Sequence, residues 1–165
     1  MSIALLTVSI LSSLAAAGAL LFGFLAHSPA SLSLHIHIAW VAVVGLLFSR
    51  SMTIFYLFGI GKSLSQETAG EERLGGYCEE ARRLRARAWP ILAVTALATV
   101  ALAVSGGAAY GGKIPIEWHR GIAIATVILN VGASLWEGVI LAGVQSLLVD
   151  FALARGGGEA SGPRL

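Results

Sequence analysis

Long apolar segments alternate with short polar ones along the chain. A membrane-spanning helix needs about 20 predominantly apolar residues. Four segments meet this requirement: 3–26, 34–60, 88–108 and 116–151. The pattern therefore predicts an all-α fold, an integral membrane four-helix bundle. We assign residues 1–154 to this domain and residues 155–165 to a flexible cytoplasmic tail.

The composition supports a membrane protein. Of the 165 residues, 56% are hydrophobic and only 12% are charged, whereas soluble domains carry about 25% charged residues. The first apolar segment lacks a basic start and is too long for a signal peptide, so we expect it to be a retained helix. The lipid bilayer is the first expected partner.

The distribution of basic residues predicts the orientation of the bundle. Lysine and arginine concentrate in cytoplasmic loops of membrane proteins. The connections on the other side hold only Lys113 and Arg120. The connection between segments two and three holds six basic residues, and the C-terminal tail holds two. They are Lys62, Arg73, Arg82, Arg83, Arg85 and Arg87 in the connection, and Arg155 and Arg164 in the tail. Both termini are therefore predicted to be cytoplasmic, and all four histidines to lie near the outer face.

Polar side chains in the second helix fall on one face. A helix turns about 100° per residue, so Thr53 returns to the direction of His35, with Arg50 and Tyr56 about 60° to either side. His37 points about 200° away from His35. The pattern predicts that His35 faces the bundle and that His37 does not.

The fourth helix carries a narrower polar line. Thr126, Asn130 and Glu137 lie within about 20° of the direction of His119. Polar groups inside a membrane are energetically costly and face protein or water rather than lipid. Helices two and four run in the same direction, so we expect two stacked sites between them. One is an outer pair of His35 and His119, and the other is a deeper Arg50–Glu137 ion pair. Helix one is rich in small residues, including Ser9, Ser12 and Ser13, which let helices approach closely, so we expect it to be a packing surface. Helices one and three are expected to act as scaffold.

The ion pair has two interpretations. It can fix the register of the helices, because an unpaired charge near the bilayer centre costs at least about 3 kcal/mol. Alternatively, it can hold an anionic or quinone headgroup, or relay protons. The residues of such a relay would be Glu137, Asn130, Tyr56 and Thr53.

The histidines have three interpretations. Two histidines on facing helices can ligate the iron of one b-type haem, and Ala39, Ala42 and Ala123 leave room for the ring. A second interpretation is a metal site. Its ligands would be His27, His35, His37 and His119. In the third, the histidines are solvated at the membrane surface beside Trp40 and Trp118.

Enzyme motifs are not evident in the sequence, which contains no phosphate loop, no nucleophile paired with a base and no paired carboxylates. The basic residues have no accompanying aromatic surface, so we expect no nucleic acid partner. Cys78, the single cysteine, has no partner for an internal disulfide. The outer segment 110–120, with Tyr110, Lys113 and Arg120, is the best candidate for contact with an external partner or ligand.

The stretch "RSMTIFYLFGIGKSL" and the fourth helix resemble a pattern in small bacterial four-helix membrane proteins. The similar residues are Thr53, Phe55, Tyr56, Gly59, Gly61, Lys62, His119, Asn130 and Glu137. The resemblance covers about a third of the chain. It implies a bacterial cytoplasmic membrane protein and brings no activity with it.

The sequence therefore predicts a small membrane subunit of a larger energy-transducing or redox complex, with a b-type haem or quinone-proximal site between helices two and four. Expected partners are other membrane subunits or further copies of the chain. One alternative is a purely structural accessory or assembly protein. The other is a small proton-coupled carrier that uses Glu137 and Arg50, which the lack of an evident internal repeat disfavours.

Overall fold

The fold is all-α in the computed structural model, which describes residues 2–69, 71 and 74–159. Four helices follow one another along the chain: α1 (Ser2–Leu25), α2 (Pro29–Glu67), α3 (Gly75–Tyr110) and α4 (Ile116–Glu159). All four are long and apolar enough to cross a membrane. The prediction of an all-α bundle with four candidate spans is confirmed.

Each helix packs against its two neighbours in a four-membered ring. The packed pairs are α1–α2, α2–α3, α3–α4 and α4–α1, so α2 and α4 lie on a diagonal of the bundle. The connections of residues 26–28 and 111–115 lie together at one end, which we call the short-loop end. At the other end, which we call the long-loop end, lie the start of α1, the end of α2, the start of α3 and the end of α4.

Three helices are longer than the apolar segments that predicted them. Helix α2 begins early because Ser28 caps it: the Ser28 side chain accepts a hydrogen bond from the Ser31 backbone N–H, and Pro29 suits the first turn. Residues 155–159, predicted as part of a flexible tail, continue α4 instead. Arg155 forms an ion pair with Glu67 of α2, which ties this last part of α4 to the bundle. Residues 160–165 lie outside the described part of the chain, as does Arg73.

Small residues bring α1 and α2 close together, as predicted. A Cβ atom added at Gly45 would lie 2.6 Å from Ser12 Oγ, so any larger residue there would force Ser12 to move. Large apolar side chains cover the outside of the bundle; Leu97 and Leu135 are each about 70% exposed. Such a surface is unusual in soluble monomers and matches a lipid environment.

Candidate functional site

A buried ion pair joins α2 and α4 across the diagonal of the bundle. Arg50 Nη1 donates to Glu137 Oε2, and both side chains are 1% exposed. Thr53 Oγ1 donates to the other carboxylate oxygen, Oε1. Ser9 Oγ of α1 donates to Oε2 over 2.7 Å. The predicted Arg50–Glu137 pair is therefore confirmed, and both carboxylate oxygens have hydrogen-bond partners.

The second terminal nitrogen of Arg50 extends the pair into a network. Nη2 donates to the backbone oxygen of Asn130 over 3.1 Å and to Ser134 Oγ over 3.1 Å. Ser13 Oγ of α1 lies 2.9 Å from Ser134 Oγ. Asn130 Nδ2 in turn donates to Thr99 Oγ1 of α3 over 3.2 Å. All four helices thus contribute to the network, and α1 and α3 are not only scaffold, contrary to the prediction.

The network is closed to ligands in this conformation. Ser9, Thr53 and Asn130 are fully buried, and Glu137 is 2% exposed. Within the described residues, the only buried side-chain polar atoms without a hydrogen-bond partner are Ser49 Oγ and Arg50 Nε. An arrangement of this kind holds the register of the helices and leaves no carboxylate oxygen free for a headgroup or proton donor.

Two other predicted site residues lie apart from the ion pair. Tyr56 Oη lies 3.0 Å from Ser2 Oγ at the long-loop end, so the predicted relay does not include it. Thr126 is 3% exposed, and its hydroxyl donates to the backbone oxygen of Ala98 over 3.4 Å. It lies along α4 between His119 and Asn130 and fastens α4 to α3.

A cavity of about 770 Å³ occupies the short-loop half of the bundle and is lined by all four helices. His35 and His119 both line it, as do Ala39, Ala42 and Ala123. The volume lies within the range of about 300–1,000 Å³ typical of small-molecule sites. The predicted outer histidine pair is thus brought together in one cavity, which lies next to the buried network.

Hydrogen bonds fix the tautomer of both cavity histidines. His35 Nδ1 lies 2.9 Å from the backbone oxygen of Ala19; a carbonyl only accepts, so Nδ1 carries the proton. Ser105 Oγ donates its proton to the Leu102 carbonyl over 2.9 Å and therefore accepts from His119 Nδ1 over 3.1 Å. In the neutral form of each ring, Nε2 keeps its lone pair, and neither Nε2 has a hydrogen-bond partner among the described residues. This is the state in which imidazole binds a metal.

A glycine on the neighbouring helix supports each histidine ring. A Cβ atom added at Gly23 of α1 would lie 2.8 Å from His35 Cε1. A Cβ atom added at Gly106 of α3 would lie 3.1 Å from His119 Cε1. Each ring is therefore held between a hydrogen bond at Nδ1 and a close backbone contact, which restricts its rotation.

The other two histidines do not join this pair. His37 is exposed and bonds through Nδ1 to the backbone oxygen of Ser33, one turn earlier in α2. His27 bonds to the backbone oxygen of Leu25. The described residues contain no group of three or more histidine, cysteine or acidic side chains that could hold a metal ion. The predicted four-histidine metal site is therefore wrong.

The two sides of the cavity share a sequence pattern. Helix α2 contains His35, Ile38, Ala39 and Val43, and α4 contains His119, Ile122, Ala123 and Val127 at the same spacing. The histidine, alanine and valine of both segments line the cavity. This short repeat, H-x2-I-A-x3-V, corrects the prediction of a chain without internal repeats.

The same alignment of α2 with α4 extends to residues of the buried network. Arg50 then corresponds to Ser134, and Thr53 corresponds to Glu137. Each corresponding pair is in direct contact, Arg50 with Ser134 and Thr53 with Glu137. Contacts between equivalent residues indicate an approximate two-fold relation between the α1–α2 and α3–α4 hairpins.

Several residues of the site were missed in the sequence. The small side chains of Ser9 and Ser13 predict close packing, and the predicted polar lines include neither Ser105 nor Ser134. Ser134 lies one turn before Glu137 on a neighbouring face, so a wider polar stripe would have included it. Nothing in the sequence alone distinguishes Ser105 from other polar residues near a helix end.

Comparisons with protein-family models, with curated proteins and with solved structures found no match for the chain.

Proposed function

We propose that this chain is an integral membrane subunit of a larger redox complex and that it binds one b-type haem between His35 and His119. The observation that carries the proposal is the pair of rings in one cavity, each with Nδ1 occupied and Nε2 available. Axial histidines of haem bind iron in this form.

The rest of the cavity suits a large planar ligand. The small side chains of Ala39 and Ala123, which line the cavity, leave space between the helices. The walls are mainly apolar, which favours an apolar ring system. His35 and His119 would hold the haem iron, and a bound haem would supply one-electron transfer.

The positions of the basic residues favour one orientation of the bundle in the membrane. Lys62, Arg82, Arg83, Arg85 and Arg87 belong to the long-loop end or the adjacent part of α3. By the positive-inside rule this end would face the cytoplasm. Both termini would then be cytoplasmic, and the haem would lie near the outer face of a bacterial cytoplasmic membrane.

The test is the absorption spectrum of the full chain in mild detergent, after haem has been supplied and the unbound haem removed. We expect a Soret band, lost in His35→Ala and in His119→Ala. His37→Ala is the matched control, because His37 is on the same helix with its ring outside the cavity, and should keep the band. A folded, colourless wild-type protein would contradict the proposal. So would retention of the band in both cavity variants.

The subunit assignment has a separate test. Extraction of the chain from its native membrane in mild detergent should yield a species much larger than the chain itself, with haem present. A clean monomer or dimer that carries haem would contradict the assignment to a larger complex and leave the haem site unaffected.

A second candidate is a structural accessory protein. The closed network that links all four helices favours it, because that network stabilises the bundle without needing a ligand.

A quinone would use the same cavity as haem, with the Nε2 atom of a histidine accepting a hydrogen bond from the reduced ring. A folded, colourless wild-type protein would favour the structural role or the quinone site over haem binding. Protection of His119 from chemical modification by added quinone would then favour the quinone site over the purely structural role.

A further inference from the structure

One residue breaks the correspondence between the two sides of the cavity. In the repeat, Ile36 of α2 corresponds to Arg120 of α4, and each residue directly follows the cavity histidine of its helix. Both side chains line the cavity. Among the described residues that line the cavity, Arg120 is the only arginine or lysine, and none is acidic. The cavity therefore has one positive side.

The Arg120 guanidinium is available to a ligand. Its Cζ lies 5.4 Å from the ring centroid of Phe24, a cation–π contact that holds it at the edge of the cavity. No carboxylate of the described chain forms a salt bridge with it, whereas Arg83 and Arg155 each contact a glutamate. An arginine with free donors beside an apolar cavity favours a carboxylate or phosphate group.

We infer that Arg120 binds the acidic groups of the cavity ligand and so determines which way round that ligand sits. The ligand class is an apolar ring system with acidic substituents on one edge. This inference rests on the proposed haem function, since haem b carries two carboxylates on one edge. Ile36, at the corresponding position, offers these groups no partner.

The test compares two probes, iron protoporphyrin IX and its dimethyl ester, which differ only in the acidic groups. Spectroscopic titration of the full chain in one detergent gives the ratio of their affinities. The ester partitions more strongly into micelles, so the ratio in wild type is compared with that in each variant, which cancels this effect. We expect Arg120→Gln to reduce the preference for the diacid about tenfold.

Lys113→Gln is the matched control, because Lys113 is an exposed cation at the same end that does not line the cavity. It should leave the ratio unchanged. The exchange variant Ile36→Arg/Arg120→Ile should restore the diacid preference, because it moves the positive charge to the corresponding side. Arg120 is exposed, so its single substitution should leave folding unaffected.

The outcomes separate this inference from the proposed function. If both probes bind and Arg120→Gln leaves their ratio as in wild type, Arg120 does not bind the acidic groups and the haem site stands. If Lys113→Gln lowers the ratio equally, only the general positive charge at this end matters, and the inference is overturned. If neither probe binds wild type, the haem proposal and this inference both fail.

Discussion

The two polar regions of the bundle differ in what they leave unpaired. In the buried network, Arg50 and Glu137 contact each other and side chains from the neighbouring helices. In the cavity, His35 and His119 use one ring nitrogen each for the protein and keep the other free. The two regions are adjacent along the same helices and share the same approximate two-fold relation.

This difference distinguishes a region with a structural role from a region that can bind a ligand. A buried charge with all its strong partners inside the protein stabilises one arrangement of helices and has little capacity to bind anything else. A rigidly held group with a free lone pair beside a cavity has that capacity. Of the ionisable groups in these two regions, Arg50 and Glu137 therefore stabilise the bundle, whereas His35 and His119 are suited to ligand chemistry.

The largest expected effect comes from breaking the buried pair. Glu137→Gln leaves the Arg50 cation buried without its counter-charge and should lower the free energy of unfolding by about 3–5 kcal/mol. The measurement is reversible unfolding by a denaturing detergent in mixed micelles. Arg50→Gln/Glu137→Gln should recover much of the loss, because neither charge then remains. A double variant no more stable than Glu137→Gln alone would show that the charges are not coupled.

A smaller effect is expected from filling the space beside a cavity histidine. Gly23→Ala places a Cβ atom 2.8 Å from His35 Cε1 and should force the ring to move. We expect a loss of about 1–3 kcal/mol in unfolding free energy, together with weaker haem binding. Gly18→Ala on the same helix, where an added Cβ meets nothing within 4 Å, is the control. Equal stability and equal haem binding in the two variants would contradict close packing at His35.

The smallest effect is expected at an exposed ion pair. Glu67 and Arg155 join the ends of α2 and α4 with side chains 41% and 56% exposed. Glu67→Gln should cost less than about 1 kcal/mol, and the loss should shrink as salt is added. The effect of Glu137→Gln should be insensitive to salt, because water and ions do not reach that pair. A loss at Glu67 as large as that at Glu137 would remove the distinction between the two pairs.

The sequence predicted the helices and the central contact for a simple physical reason. Polar groups in an apolar segment face protein or water rather than lipid. The directions of Arg50 and Glu137 on their helices were therefore enough to predict that the two side chains meet. The same reasoning separated His35 from His37. It did not require α2 and α4 to be neighbours, and across the diagonal of a small bundle a long arginine side chain still reaches its partner.

Other features could not be predicted from direction alone. Ser9 and Ser13 have side chains that suit close helix packing and hydrogen bonding equally well, so their type does not reveal which role they have. The extension of α2 to Pro29 depends on a cap at Ser28, whereas hydropathy marks only the apolar part of a helix. Tyr56 has a polar tip at the end of a long ring, and that tip reaches Ser2 near the start of α1.

The pairing of Arg50 with Ser134 and of Thr53 with Glu137 has a consequence for assembly. Two identical copies of the first hairpin about an exact symmetry axis would bring one guanidinium against another in a region of low dielectric, where like charges repel strongly. Joining two hairpins in one polypeptide lets the corresponding positions diverge, so that a cation on one meets an anion supplied by the other. The single chain can therefore be electrically neutral at the axis, whereas a homodimer of its first half would place two cations there.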